Sequence, residues 1–458
     1  MSRSALAWVA ALVCAPVLVT PVAADEEDLE EILGSFEEGR APPRAADPRG
    51  DDAPPAPDRW WRWSGLLAVE TALHLDADRP EYDPVAKLRA EGRLQLDARL
   101  PRSWSLRLGG RAWYDFAYVI EGRDRFSGDV LDAYEDELEV WESWIAGPLG
   151  DRASVKLGRQ ITSFGTSETL RVVDLIFPID NREPGAADLE DLYLPELHGR
   201  VDVALGGGFS LTGLAILERR FSETPPRGSS YLPPFAALPR VDEPSNGLDD
   251  TEFVLVTRGR LGRVDVGLLG AWYFDDLASL DPASPLGVRR VHRRLWMLGG
   301  VAATARGSWV FRGELAGFGG LGFANDPGAE RSRLDVLAGV DYTGFGDTAV
   351  ALDVVNRWLP GAPSSIERAP DYTPRNLTEL ALLVRRSFLR DRLRVTLTAL
   401  SFGYRAQLGA LARLQGDYAW NDALTLRAGV LLYRSGDPFP YTALGSNDRL
   451  FIGAVYRF

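Results

Sequence analysis

The sequence predicts an all-β chain, a transmembrane antiparallel β-barrel of about 18 strands with 16 as the alternative count. Three observations lead there. Stretches after Trp60 alternate polar and apolar residues with a period of two. The segments joining them are short and long by turns. The chain opens on an export signal and closes on an aromatic residue ending an alternating stretch.

The alternation is plainest in Lys87–Arg99, where every odd position is polar or charged and every even one is apolar or small. It recurs in Leu408–Gln415, Leu424–Tyr433 and Leu450–Phe458. A strand sends successive side chains to opposite faces, so one face meets something apolar and the other meets water. A soluble sandwich seldom lines a face with so many long charged side chains. Each stretch is long enough for a tilted strand to cross a bilayer, and hydrocarbon cannot satisfy an open backbone edge, so such strands must close into a ring.

The connections follow the same logic. Short ones are expected at 100–103 and near 147–151, 206–208, 261–263, 306–308, 343–346, 390–392 and 420–422. Between them come longer ones at 119–133, 161–198, 220–249, 275–290, 319–330, 359–375 and 435–446. Brief turns on one side and long loops on the other mark outer-membrane barrels. The very short segment at Tyr404–Gln407 departs from the rule and keeps 16 strands open.

The N-terminus reads as a secretory signal. Met1-Ser2-Arg3-Ser4 precedes the apolar stretch Ala5–Val19, and Pro21-Val22-Ala23-Ala24 supplies a small-residue cleavage site after Ala24. Residues 1–24 are the expected signal peptide. Cys14, the single cysteine, leaves with it, because Val13 is too bulky for a lipoprotein signal. Residues 25–59 follow as an acidic helix, with Leu29, Ile32, Leu33 and Phe36 at helical spacing, and a Pro-rich linker. The barrel is expected to occupy 60–458. Beyond the signal there is no apolar run of about 18 residues, so no spanning helix is expected.

The formal charge of −14 argues against nucleic acid as a partner. Of 51 basic residues only Lys87 and Lys156 are lysines. A GC-rich genome explains that bias as well as a lumen built to hold anions. Trp60, Trp61, Trp63, Trp104, Trp141, Trp144, Trp309, Trp358, Trp420, Tyr433 and Tyr456 lie near expected strand ends, where headgroup-level aromatics belong. Trp113 and Trp141 fall on the polar phase and are candidates for the lumen.

The polar phase supplies the candidate selectivity residues Arg89, Arg93, Arg107, Arg111, Arg312, Glu314, Arg385, Arg394, Arg413 and Arg427. The plainer reading makes them cross-strand ion pairs that stiffen the wall. Residues 161–197 stand apart. A loop wholly in water has no need of Leu175, Ile176, Phe177, Leu192 and Leu194, so this loop is expected to fold inward and narrow the pore. Phe164, Arg171, Asp174, Phe177, Asp180, Arg182 and Glu183 are its candidate constriction residues. An outer cap with its own small core is the alternative. Its acids could hold Ca²⁺, but salt bridges to lumen arginines are the expected role.

A family resemblance rests on these residues. Leu157-Gly158-Arg159-Gln160, Phe164-Gly165, Asp174, Pro178-Ile179-Asp180 and Arg182-Glu183 resemble a stretch of the proteobacterial outer-membrane family known as domain of unknown function 1302. Arg312-Gly313-Glu314-Leu315, Gly339-Val340-Asp341-Tyr342 and Asn447-Asp448-Arg449 are similar too. Phe164 stands where that family's pattern has Trp, and Phe177 where it has Asn. The alginate-export porins are a second family that the chain resembles. The first resemblance implies movement of lipid-like or other hydrophobic molecules together with inner-membrane partners.

The histidines are His74, His198 and His292, and no metal-ligand spacing, phosphate loop or nucleophile elbow occurs. No catalysis, cofactor or metal is expected. The expected function is an outer-membrane porin or export channel, moving a solute, a lipid-like molecule or an anionic polymer through an Arg-rich lumen gated by the inward loop. An anchor or scaffold for an envelope transport assembly is the alternative, and a lipid-modifying enzyme a remote one. The expected partners are outer-membrane lipid, the barrel-assembly machinery acting through Phe458, and a periplasmic or inner-membrane transport protein.

Overall fold

The computed structural model describes residues 59–75, 84–233, 239–245, 247–281, 289–437 and 441–458. The expected signal peptide and acidic helix lie outside the described residues. The barrel strands are β1 (Trp61–His74), β2 (Val85–Leu100), β3 (Trp104–Asp115), β4 (Asp136–Val140, resuming as Ser143–Pro148), β5 (Ala153–Gln160) and β6 (Glu196–Gly206). Next come β7 (Phe209–Ile216), β8 (Glu252–Leu261), β9 (Val264–Phe274), β10 (Arg294–Arg306), β11 (Trp309–Phe323) and β12 (Asp326–Tyr342). The last are β13 (Thr348–Trp358), β14 (Asn376–Phe388), β15 (Leu393–Phe402), β16 (Ala410–Ala419), β17 (Leu424–Arg434) and β18 (Arg449–Arg457).

These 18 strands form one closed antiparallel ring. The last strand pairs with the first, from Leu66 opposite Arg457 to His74 opposite Arg449. The short connections expected from the sequence fall at one end of the ring and the long ones at the other, where two brief connections, Ala324-Asn325 and the segment around Tyr404–Gln407, also lie. The brief segment around Tyr404–Gln407 is a genuine loop between β15 and β16, which settles the count at 18 rather than 16.

One expected loop does not exist. Residues 319–323 and 326–330 are strand, joined by a turn at Ala324-Asn325: β11 runs on to Phe323, which pairs with Asp326 at the start of β12. The glycines that suggest a turn instead accommodate register shifts between Gly319 and Leu321 and again before Phe323. Gly320, at φ +97°, takes a conformation that a side chain would strain.

The outer wall is apolar. Leu67, Val69, Leu94, Leu108, Ile145, Phe253, Leu255, Leu268, Leu298, Phe311, Leu315, Leu352, Leu450 and Ile452 are all exposed on it. Exposed aromatics mark the two rims: Trp60, Trp63, Trp309, Trp420, Tyr456 and Phe458 at the short-turn end, and Trp272, Trp296 and Trp358 at the long-loop end. An apolar band between aromatic girdles is the surface that a bilayer requires.

The interior has two unlike halves. Along β7 to β14 the inward side chains include Leu214, Ile216, Val254, Val256, Leu269, Tyr273, Leu295, Met297, Phe318, Leu337, Val355 and Ala381, gathered into one buried cluster. Around β2 to β5 and β16 to β18 the inward positions carry charge, as in Arg89, Arg111, Arg413 and Arg427. Beyond the membrane, helices α1 (Ala117–Glu121) and α2 (Gly128–Tyr134) follow β3. The Ser127 hydroxyl caps α2 by accepting the Val130 amide at 3.4 Å.

Candidate functional site

The loop after β5 turns into the barrel because its apolar residues find apolar partners there. Phe164, Leu170, Val172, Val173, Ile176, Phe177 and Tyr193 are all buried in the same cluster as the β7–β14 wall. Each large side chain so buried contributes about 1.5–3 kcal/mol. Leu175 and Ile179 pack against the cluster's edge, and Leu194 is buried as well. The inward fold expected for residues 161–197 is therefore what the structure shows.

Polar contacts fix its position. Asp174 accepts the Phe164 amide at 2.6 Å, the Gly165 amide at 2.8 Å, the Ser163 hydroxyl at 2.6 Å and the Tyr193 hydroxyl at 3.2 Å. One carboxylate thus ties both limbs of the loop. Glu314 in β11 accepts the Thr166 amide at 2.5 Å and its hydroxyl at 2.9 Å. Asp353 in β13 accepts the Ser167 and Thr169 hydroxyls, each at 2.7 Å, and is itself held by Arg312 at 3.0 Å. Arg357 donates to the Arg171 carbonyl at 2.9 Å while paired with Asp335 and Glu379.

The far end of the loop reaches the charged half. Glu183 pairs with Lys87, with Arg89 at 3.5 Å and with Arg449 at 3.4 Å. Burial opposes ionisation of Glu183, but Lys87, Arg89 and Arg449 outweigh it and hold the carboxyl well below the usual range. Arg182 meets Asp180 at 2.7 Å, Glu137 at 2.7 Å and Glu223 at 2.9 Å. Asp188 pairs with Arg413, and Glu168 with Arg385 at 2.5 Å. The Tyr433 hydroxyl donates to the Pro184 carbonyl at 2.6 Å. The loop is thereby anchored to opposite walls and spans the lumen between them.

An opening lies between the loop and β13 to β16. This space, about 1080 Å³ with its mouth, is lined on the loop side by Arg171, Leu175, Ile179 and Leu189. The wall contributes Arg357, Glu379, Leu383, Arg385, Thr398, Leu400 and Phe402. It is an amphipathic opening, with guanidinium groups set among aliphatic side chains.

On the opposite wall, cations and indoles interleave. Arg89 lies 4.1 Å from the Trp113 ring centre and Arg182 lies 5.6 Å from it. Arg111 and Arg93 approach Trp141 at 5.0 and 5.5 Å, and Lys156 and Arg107 approach Trp144 at 4.3 and 5.2 Å. Carboxylates complete the stack: Glu91 with Arg93 at 2.6 Å and Arg111 at 3.3 Å, and Asp97 with Arg107 at 2.8 Å.

Trp113 and Trp141 line the lumen as their phase suggests. Trp144, expected at the rim, lines it too. The cause is a bulge: β3 advances three residues from Arg107 to Gly110 while its partners advance four, from Trp144 to Val140. That extra residue moves the inward phase from odd to even positions. Arg427 pairs with Asp417 at 2.8 Å, and Arg394 is exposed at the short-turn end with no carboxylate partner among the described residues. Lys87, Arg357, Glu379 and Arg449 are not among the candidate site residues read from the sequence, although each keeps the phase of its strand's other inward residues.

The barrel matches solved structures of low identity. OpdK of Pseudomonas aeruginosa with vanillate is 11% identical, covering 87% of this chain and 98% of that one with a TM-score of 0.50. OccK2 (OpdF) of Pseudomonas aeruginosa in complex with glucuronate is 13% identical, over 87% and 96%, also at 0.50. A BenF-like porin from Pseudomonas fluorescens Pf-5 is 10% identical, over 87% and 98%, at 0.50. At such identities the likeness is one of fold, that of outer-membrane porins. No curated protein matches the sequence. Residues 7–429 match the model of the family described as protein of unknown function (DUF1302), the first of the two families resembled, and the chain belongs to it.

Proposed function

We propose that the protein is a passive channel of the bacterial outer membrane for small amphipathic anions, with residues 161–195 as a fixed constriction. The observation that carries this reading is the opening beside the loop, where Arg171, Arg357 and Arg385 stand among Leu175, Leu383, Leu400 and Phe402. A hydrated inorganic ion gains nothing from the aliphatic lining, and a neutral hydrocarbon gains nothing from the guanidinium groups. A small organic carboxylate uses both. The barrels with vanillate and with glucuronate hold molecules of that broad chemistry.

The loop's contacts to Glu314, Asp353, Arg357, Lys87 and Arg413 favour a static narrowing over a gate that swings. The N-terminal segment leaves β1 at the short-turn end, so we assign residues 25–59 to the periplasmic side, where they plug the lumen or dock a transport partner. Planar-bilayer recording tests the reading. Discrete conductance with a reversal potential favouring anions, reduced by millimolar aromatic or sugar carboxylates, is expected. A silent bilayer would favour the anchor or scaffold role instead.

A further inference from the structure

The ring has a seam without backbone pairing beside the upper half of β4. The upper half of β4, Asp136–Val140, pairs with β3 from Tyr114 to Gly110. Its other edge should meet β5, but β5 stops at Gln160, and Arg159 already lies opposite Ser143 in the lower half of β4. Beyond Gln160 the chain enters the lumen. Among the described residues no strand takes up the free edge of 136–140.

Side chains fill the gap. Arg159 donates to the Val140 carbonyl at 2.7 Å and pairs with Glu218 at 2.5 Å. Arg220 reaches Glu139 at 3.0 Å and Glu223 at 3.1 Å, and Arg182 joins Glu137 to Glu223. Leu138 sits opposite Ala112, three residues short of the end of β3 at Asp115, so the gap lies in the upper part of the apolar wall. Leu138 is 85% exposed, more than any other large apolar side chain described, and Val140, Leu157 and Leu197 are exposed around the gap. Unpaired backbone does not persist against lipid unless water or protein reaches it.

We propose that this seam is a lateral portal through which an amphiphile with an anionic head and an aliphatic tail passes between the lumen and the outer half of the bilayer. Parting the seam leaves Glu137 and Glu139 on β4. The opposite lip keeps three arginines, Arg159, Arg182 and Arg220, with three carboxylates, Asp180, Glu218 and Glu223. Arg182 and Arg220 each lose a glutamate partner, and an anionic head takes the place of the departing carboxylates at the freed guanidinium donors. The tail meanwhile slides over Leu138, Val140 and Leu197. The portal rests on the channel reading only for a wet lumen behind the seam.

The test uses the full chain in lipid vesicles with a dodecyl sulfate probe carrying a diazirine in its tail. Photo-adducts are mapped by mass spectrometry. Adducts are expected on Leu138 and Val140 outside and on Trp141 inside. Bridging Glu139→Cys to Arg220→Cys with a bismaleimide should abolish the Trp141 adduct and keep the outer ones. The Glu137→Gln, Glu139→Gln double variant, which frees the arginines without a crosslink, should raise the Trp141 adduct several-fold. An unchanged Trp141 adduct in the bridged protein means that the probe arrives down the pore axis, and the portal is refuted. An unchanged adduct in the double variant refutes it equally. Conductance of the unmodified protein is read in the same vesicles. Its absence alongside intact adducts would sink the channel and leave the portal standing.

Discussion

The carboxylate of Glu314, in the barrel wall, takes the amide of Thr166, in the inward loop, at 2.5 Å across 148 positions of sequence. The same oxygen takes the Thr166 hydroxyl, and its partner oxygen lies 3.3 Å from the Val173 amide. Glu314→Ala orphans these donors inside the barrel, at a cost of about 1–3 kcal/mol. A lower midpoint in the heat-induced gel shift is expected, together with larger and noisier unitary conductance. A quiet, unaltered conductance would show that apolar packing alone holds the loop.

Arg385 flanks the opening and is partly exposed, whereas Arg413 is buried against Asp188. Arg385→Glu should therefore move the reversal potential toward cations with little loss of stability. Arg413→Ala should instead cost about 1–3 kcal/mol, less than a fully buried pair because Asp188 is partly solvated. If selectivity shifted only in the Arg413 variant, the opening would have been misplaced.

Trp113 presents its face to Arg89 at 4.1 Å and is buried. Trp113→Leu removes that contact and leaves a void, together worth about 2–4 kcal/mol. Chemical denaturation of the purified barrel, followed by tryptophan emission, measures the loss. A wild-type midpoint would show the ladder to be incidental.

Burial raises the Asp275 carboxyl, beyond the end of β9, to about 6, with Asp276 adding to the rise and Arg333 and Arg293 opposing it. A carboxyl raised on folding adds stability that is complete below its unfolded value and is lost as pH climbs through about 6. Residues 275–281 and 289–293 should exchange amide hydrogens faster at pH 7.5 than at pH 5, after correction for intrinsic rates. His292, whose pKa burial lowers, works in the opposite direction. Asp275→Asn keeps an oxygen for the Leu277 amide and should flatten the difference; an undiminished difference would assign it to another group.

Phe458 closes the ring. Its amide donates to the Gly65 carbonyl at 3.1 Å, its carbonyl accepts the Gly65 amide at 2.9 Å, and its ring covers Gly65 so closely that an added Cβ there would lie 2.4 Å from it. Deleting Phe458 should lower the amount of folded barrel in outer membranes, scored as the heat-modifiable band. A normal yield would remove Phe458 from the recognition signal proposed for the assembly machinery.

Much of the fold could be read from the sequence, but unevenly. The strands that alternate most clearly, β2, β16, β17 and β18, border the charged half of the lumen, where inward residues must be polar. In β7 to β12 residues such as Val254, Val256, Leu269 and Met297 are apolar on the inner face as well, because the loop packs there. Period-two contrast vanishes wherever both faces are dry. The candidate site shows the same limit. Asp174, Arg182 and Glu183 stood out because charge amid an apolar loop demands partners. Those partners, Lys87 and Arg449 among them, lie on strands far away in sequence. The bulge that turns Trp144 inward, and the glycines that carry β11 and β12 beyond the membrane, leave no sign in a simple alternation.

The dry half of the interior also bears on how the two faces of the wall are told apart. Over much of β7 to β10 the wall is apolar on both faces, with inward charges such as Arg258 few among them. Residues 161–195 make the distinction by seating on one side only. The segment that narrows the passage is thus also what covers the apolar inner face of the closed ring.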